Sequence, residues 1–348
     1  MSVVTRQSEA PKASAGNSQG IGAAMSAANG AAAAPTTGVV PAAADGSSPK
    51  VSVCVPVHNG ADTIERSIDS VLAQTYTEFE CVVVDNDSSD ATVERVLGYR
   101  DRRIRLVRNE TNLGGVRNHN KCVSVARGEL IQFVHADDWL LPHCLETLVP
   151  LFDANNVGLA FAPRRVVSAD ESWKARYGRL EGPLRPLRPV NKGSDLVRRY
   201  LAAGGGGNPI GEPTSVMVRR ATLIEVGGFR PQTPLLSDID LWLRVLCRSD
   251  AAFVEDELTV RWHHDAGSQT SAYKTAYPLD IMLVLTSLVQ SEALSPRLRL
   301  RAFTLWLKAG ARMPKVLLET PRHLRARRAM SFATQAGYLA LGRRLEFE

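Results

Sequence analysis

From position 51 the chain carries short uninterrupted apolar runs separated by polar clusters. Val51-Ser52-Val53-Cys54-Val55-Pro56, Phe79-Glu80-Cys81-Val82-Val83-Val84, Ile104-Arg105-Leu106-Val107 and the run from Leu130 to His135 have strand length, which predicts buried strands. Val157 to Ala162 predicts another, and Pro213 to Val218 is strand-like. Between the runs the period changes. Ile64, Ile68, Val71 and Leu72 recur at helical spacing, and Asp62-Thr63-Ile64-Glu65 ahead of them has the spacing of a capping box. Helices are also predicted around Thr92–Leu97 and from about Val116 to Ala126. Strands alternating with helices imply a parallel sheet with right-handed crossovers, the α/β class.

In such sheets ligands bind beyond the carboxyl ends of the strands. Three of the predicted strand ends carry polar clusters: Pro56-Val57-His58-Asn59, Asp85-Asn86-Asp87 and His135-Ala136-Asp137-Asp138. Adjacent carboxylates at the end of a core strand are costly unless something cationic meets them. A hard divalent ion with phosphate oxygens on its far side is a natural partner. The competing explanation for Asp138 is a helix N-cap, and for Asp85–Asp90 an Asx-rich turn in which Asp90 caps the next helix.

Composition narrows the class. The 348 residues allow one large α/β domain with extensions, or two domains. The five cysteines form no C-x-x-C pair and two of them lie inside apolar runs, a reduced, buried usage with neither a disulfide framework nor a zinc site. The net charge of +6 is concentrated at one end: from Asp280 onward twelve Lys/Arg face five Asp/Glu, and the remainder is balanced. A nucleic-acid-binding domain would not be distributed this way. The sequence contains no transmembrane run and no basic-then-apolar leader pattern, so a cytoplasmic protein is expected.

Residues 1–49 are rich in Ala, Gly, Ser and Pro and lack aromatics, which predicts disorder. Gly16 to Gly22 imitates the glycine turn of short-chain dehydrogenases. It has no strand before it, and no Tyr in the chain has the Lys four residues on that those enzymes use. Residues 163–205 read as a loop or insertion. Ser237-Asp238-Ile239-Asp240 opens a helix after the Gly227-Gly228-Phe229 turn. Residues 276–348 read as a basic helical extension, in which Arg297 to Arg328 alternate with apolar positions. Such a face either lies on an anionic membrane or is simply solvated.

These pieces together resemble the family 2 glycosyltransferases of the GT-A fold. The resemblance runs from Pro56-Val57-His58-Asn59 through Ser70 to Tyr76, Val84 to Asp90, Asn112-Leu113-Gly114, Ala126 to Glu129 and Asp137-Asp138, and covers Val51 to Ser271. The chain is most similar to the subset with Asn-x-Asn (Asn118-His119-Asn120) before the strand and His-x-Asp-Asp after it. The resemblance implies a mostly parallel, Rossmann-like sheet flanked by helices, in a domain over residues 50–275. Its nucleotide-sugar half is 50–162 and its acceptor half 163–275.

The resemblance also implies roles. Asp85 would accept the uracil N–H, with Pro56, His58, Asn59 and Asp87 around the base. Asn120, His135, Asp137 and Arg261 would line the donor site. Asp137 and Asp138 would hold Mg²⁺ or Mn²⁺, with His263 or its neighbour His264 completing the shell. Asp238 would be the general base, Asp240 its alternative, unless both serve the helix N-terminus. Ser237 stands where the family commonly has Glu. Trp139, Trp242 and Trp262 suit either sugar stacking or core packing. The expected reaction is inverting transfer from a UDP-sugar to a glycan or lipid-linked acceptor. Two alternatives are a degenerate, membrane-associated binding domain and a sugar nucleotidyltransferase, whose basic glycine-rich loop after the first strand is absent here.

Overall fold

A computed structural model describes residues 48–154, 156–263 and 277–314, apart from the side chain of Arg176. The predicted runs form strands β1 (Val51–Val57), β2 (Phe79–Asp85), β3 (Ile104–Arg108), β4 (Leu130–Phe133), β6 (Val157–Phe161) and β9 (Val216–Arg219). With β10 (Asp250–Phe253) and β8 (Val190–Asn191) they make one eight-stranded sheet in the order β3-β2-β1-β4-β9-β6-β10-β8. β1 pairs in parallel with β2 and β4, β2 with β3, and β10 with β6. β9 runs antiparallel between β4 and β6. A second sheet orders β5 (Trp139–Leu140), β11 (Thr259–His263) and β7 (Arg164–Ser168) as β5-β11-β7. The sheet is therefore mixed. The predicted strand from Pro213 begins only at Val216, because Pro213–Ser215 closes into a 3-10 turn; Pro213 has no N–H to give a ladder.

The sheet is covered on both faces, which is why its strands read as continuous apolar runs. Val51, Val53, Val55 and Val57 face α1 (Ile64–Leu72) and α4 (Cys144–Leu148), while Cys54, Val82 and Val84 face α3 (Gly115–Val125) and α8 (Ser237–Leu246). Each such fully buried aliphatic side chain contributes roughly 1.5–3 kcal/mol. The capping box is not made: Thr63 precedes α1 without a side-chain cap, and Glu65 pairs with Arg95 of α2 (Thr92–Leu97) instead. All five cysteines are free.

The helical extension is built into the same core. α9 (Tyr277–Gln290) and α10 (Pro296–Gly310) form a hairpin whose Met282, Leu285, Leu305 and Trp306 join the α8 side of the core. The Asp280 carboxylate accepts the amides of Leu235 (2.8 Å) and Leu236 (3.3 Å), just ahead of α8. Among the described residues no helix is long and apolar enough to cross a membrane. Residues 1–47, the tail from Lys315 and His264 lie outside the described residues.

Candidate active site

The parallel register brings Val57 beside Asp85, so the first two polar strand ends meet. Asn59 (φ 52°) and Asp87 (φ 63°) adopt the left-handed conformation, which short polar side chains tolerate best after Gly. Asn59 Oδ1 accepts the Ser89 amide at 2.9 Å and ties the two loops together. Asp90 accepts the amides of Ala61 and Thr92, both at 3.0 Å. Burial works against its charge, but the Thr92 hydroxyl and then these amides outweigh it and hold the carboxyl below its ordinary value. Asp90 is thus the turn acid foreseen by the Asx reading. Asp85 differs. It is fully buried, and its Oδ2 takes the Ser88 amide at 3.3 Å and Arg108 Nε at 3.5 Å. Its Oδ1 is buried and has no hydrogen-bond partner among the described residues. An acceptor left over in this way suits an incoming N–H.

An amide network runs between these loops. His58 Nε2 lies 3.1 Å from Asn112 Nδ2. Asn86 donates to Asn112 (2.8 Å) and accepts from Asn109 (2.9 Å) and the Leu113 amide (2.9 Å). Asn109 donates to Asn118, which donates to the Val84 carbonyl at 3.0 Å. Pro56 lies in β1, in register with Val84 of β2.

The third strand end is the acid loop. Ser67 Oγ of α1 sits within reach of the Ala136 (2.8 Å) and Asp138 (2.6 Å) carbonyls. Arg66 donates to the Asp137 carbonyl at 3.1 Å, and its guanidinium is sandwiched between the rings of Trp139 (4.2 Å) and Trp262 (4.4 Å). Asp138 is buried; it accepts from Thr214 Oγ1 (3.0 Å), His135 Nδ1 (3.2 Å) and the Trp262 amide (3.2 Å). Burial raises its pKa, but the His135 bond and the charges of His135 and Arg261 outweigh this and keep it ionised. His119 Nδ1 lies 2.8 Å from the Gly115 carbonyl, so its Nε2 is left as an acceptor facing His135 Nε2 at 3.4 Å. Burial, followed by the charge of His135, lowers His119 to about 4. His135 is raised: burial opposes its charge, and Asp138 and Asp137 override burial. Ligand atoms of His135, Asp137 and Asp138 lie within 4.8 Å of one another. The carboxylate oxygens of Asp137 and Asp138 at that spacing fit a hard divalent cation that keeps part of its water shell, with His135 oriented beside them.

The fourth group arrives from β9 and α8. Asp238 lies in the first turn of α8 and accepts from its own helix at Ile239 N (2.7 Å) and from Asn208 Nδ2 (2.8 Å). Burial, then the charge of Glu212, pushes it up to about 6, against those two bonds and His135. Glu212 precedes the Pro213–Ser215 turn and pairs with Arg164 (2.6 Å) and Arg261 (3.5 Å). Arg261 stays cationic: burial lowers its pKa, and Glu212, Asp138, Asp137 and Asp238 more than restore it. Trp242 is fully buried and donates to the Gly211 carbonyl at 3.0 Å, fixing the residue before Glu212.

The structure thus gathers His58, Asn59, Asp85 and Asp87 at one loop pair, and His135, Asp137, Asp138, Arg261 and Asp238 at the adjoining one. Three expected residues are placed elsewhere. Asn120 spends both ends of its amide on the backbone of Phe229, at 2.8 Å each, and so ties α3 to the Gly227-Gly228 turn. His263 is not in the acid cluster; its ring stacks on Trp173 at 4.0 Å. Asp240, the alternative base, is buried between Arg244 (2.8 Å) and Arg230 (3.4 Å), which hold it as an ion pair. Glu212, Asn208 and Arg66 were not foreseen. The one sequence signal for Glu212 was an acid wedged between Gly211 and Pro213 at a strand start.

Polar loops at the carboxyl edge of an α/β sheet, joined to an acid–imidazole cluster, place a candidate ligand site where such sheets bind their ligands. Residues 52–226 match the model of glycosyl transferase family 2, and the chain belongs to that family. It is a glycosyltransferase with a GT-A fold. A Mycobacterium tuberculosis protein, MT1568, is 48% identical over 262 residues, 74% of this chain and 81% of its own length. The Escherichia coli enzyme WfgD, UDP-Glc:alpha-D-GlcNAc-diphosphoundecaprenol beta-1,3-glucosyltransferase, is 36% identical over 34% of this chain and 47% of its own. The crystal structure of S. aureus TarS 1–349 in complex with UDP-GlcNAc superposes with a TM-score of 0.60 at 18% identity, over 86% of this chain and 94% of that one. A second model, the PE family, matches residues 4–63. Residues 52–63, shared by both matches, fold here as β1 and the turn after it.

Proposed function

We propose that the chain is an inverting glycosyltransferase that moves a sugar from UDP to a hydroxyl of a glycan or lipid-linked acceptor. The observation that carries this reading is the poise of one sheet edge. It holds a buried Asp85 oxygen without a partner, the His135/Asp137/Asp138 cluster beside cationic Arg261, and a carboxyl at Asp238 raised to about 6. The likeness to WfgD, whose name specifies a UDP-sugar donor and a lipid-diphosphate acceptor, supports the choice of donor and acceptor class.

The steps assigned to the residues follow from their chemistry. Asp85 Oδ1 accepts the N–H of the base, and the Asn86 network fixes the loop that presents it. Asp137 and Asp138, with His135 beside them, would hold a divalent cation. Such an ion supplies charge neutralisation for the departing diphosphate. Arg261 adds a fixed cation toward the same phosphate oxygens. Asp238 takes the proton of the acceptor hydroxyl as its oxygen attacks the anomeric carbon. The new C–O bond forms on the face opposite the breaking C–O–P bond, and UDP leaves. A carboxyl poised near 6 is ionised at neutral pH yet more basic than a solvated one. Glu212 helps keep it so, a carboxylate from another segment where Ser237 supplies none. The test is product stereochemistry. Incubated with an α-linked UDP-sugar, Mn²⁺ and a lipid-diphosphate sugar, the protein should release UDP and give a β-linked product, and Asp238→Asn should give neither. An α-linked product would contradict the direct displacement.

A further inference from the structure

The solvent side of α10 has no part in the site. Its inner side, Ala302, Leu305 and Trp306, is buried against the α8 side of the core. Its outer side presents Arg297, Leu300, Arg301, Leu307 and Lys308, spaced by three, four and seven residues and therefore on one stripe. Leu300 is 65% exposed and Leu307 50%. The helix contains no Asp or Glu, and Arg297, Arg301 and Lys308 make no ion pair among the described residues. Arg299 is different: it donates to the Val289 carbonyl at 2.9 Å and closes the end of α9. Two exposed leucines beside three unpaired cations, with no acid on the helix, are complementary to a surface that is anionic outside and apolar just beneath.

We propose that this stripe docks on an anionic lipid bilayer, the leucines entering the headgroup–acyl boundary and the cations meeting lipid phosphates. The same hairpin braces the loop that holds Asp238. Gly205 packs so closely that a Cβ there would lie 3.2 Å from both Leu285 and Leu305. Tyr277 Oη accepts the Gly207 amide at 3.0 Å, and the next residue, Asn208, donates to Asp238. The bilayer face and the acceptor side of the site are thus one structural unit, as an acceptor held at a membrane surface requires. That last link rests on the transferase reading above; the docking itself does not.

The test is co-sedimentation of the full chain with phosphatidylglycerol-rich or pure phosphatidylcholine vesicles at low and high salt. Variants are Leu300→Glu/Leu307→Glu and Arg297→Glu/Arg301→Glu, whose sites are exposed enough to leave the fold intact. The wild type should sediment with the anionic vesicles alone and be released by salt. Each double variant should bind about tenfold or more weakly, with unchanged melting and unchanged UDP titration. That titration is read separately, so a failed donor site and a failed docking face are told apart. The proposal is overturned if the wild type stays in solution with anionic vesicles. It is overturned if both variants sediment like the wild type, placing the contact elsewhere in the chain. It is also overturned if the leucine variant abolishes self-association and no vesicle binding is seen, which would make the stripe a protein interface.

Discussion

The two edges of the sheet carry buried charge in opposite ways. At the amino edge, Glu80 and Arg105 are buried as an ion pair at 3.1 Å. Glu80 Oε1 also accepts Ser52 Oγ (2.6 Å) and the Arg127 amide (2.8 Å), and Arg105 donates to the Val125 carbonyl at 2.7 Å. The chain packs so tightly there that a Cβ on Gly128 would lie 2.5 Å from the Ser52 amide nitrogen. The carboxyl edge leaves Asp85 Oδ1 without a partner among the described residues, gathers His135, Asp137 and Asp138, and lifts Asp238 to about 6. A large cavity does not by itself mark a site. A cavity of about 740 Å³ opens at the amino edge, lined by Lys50, Arg127, Glu129 and Arg220, but Lys50 and Glu129 are already paired at 2.7 Å. Saturated polar groups hold a fold; unsaturated, mutually perturbed ones wait for a ligand.

Substitutions at the two edges should therefore separate activity from stability. Asp238→Asn should have the largest effect on turnover, a loss of about 10²–10⁴-fold. The same change should stabilise the protein. The folded carboxyl is raised above its unfolded value of 3.8, so its ionisation costs stability above about pH 6 and nothing below about pH 4. Asn should gain roughly 1–3 kcal/mol at neutral pH, an advantage that vanishes at low pH in thermal melts. Wild-type turnover should fall as pH drops through about 6, where the base takes up its proton in the company of Glu212, His135 and Arg261. At the other edge, Arg105→Ala leaves Glu80 buried and unpaired. It should cost about 3–5 kcal/mol in denaturant titrations while activity per folded molecule stays unchanged.

Smaller effects sharpen the contrast within the carboxyl edge. Asp85→Asn can present an amide donor to the base N–H and should weaken UDP by about 1–3 kcal/mol in calorimetry. Arg66→Ala removes the cation between Trp139 and Trp262 and should cost about 1 kcal/mol in donor KM, with Lys restoring little because it lacks the flat guanidinium. A Lys variant equal to the wild type would remove Arg66 from the account of how the acid loop is held.

The sheet's carboxyl edge was readable because β1, β2 and β4 are unbroken apolar runs, so their ends were fixed and the acids beyond them stood out. Asp85, Asp137, Asp138 and Asp238 came from that logic together with the family resemblance. What escaped depends on contacts between segments far apart in sequence. Asn120 looked like a donor-site residue, yet Gly228, where a Cβ would lie 2.7 Å from Asn120 Oδ1, leaves room for it to grip Phe229. His263 is occupied by Trp173, from a stretch with no readable period. The antiparallel course of β9 brings Glu212 toward Asp238, a long-range meeting that its place between Gly211 and Pro213 does not announce. The second sheet is centred on β11, and its edge strand β5 has only two residues, too short to leave a pattern.

The most direct test of the contrast is isothermal titration of UDP and GDP, with Mn²⁺ or with EDTA, into the wild type, Asp137→Ala and Arg105→Ala at a temperature where all three are folded. UDP binding should require Mn²⁺, vanish in Asp137→Ala and persist in Arg105→Ala. Absence of nucleotide binding in the wild type under every condition, or its loss in Arg105→Ala with Asp137→Ala unaffected, would contradict the assignment of the carboxyl edge as the donor site.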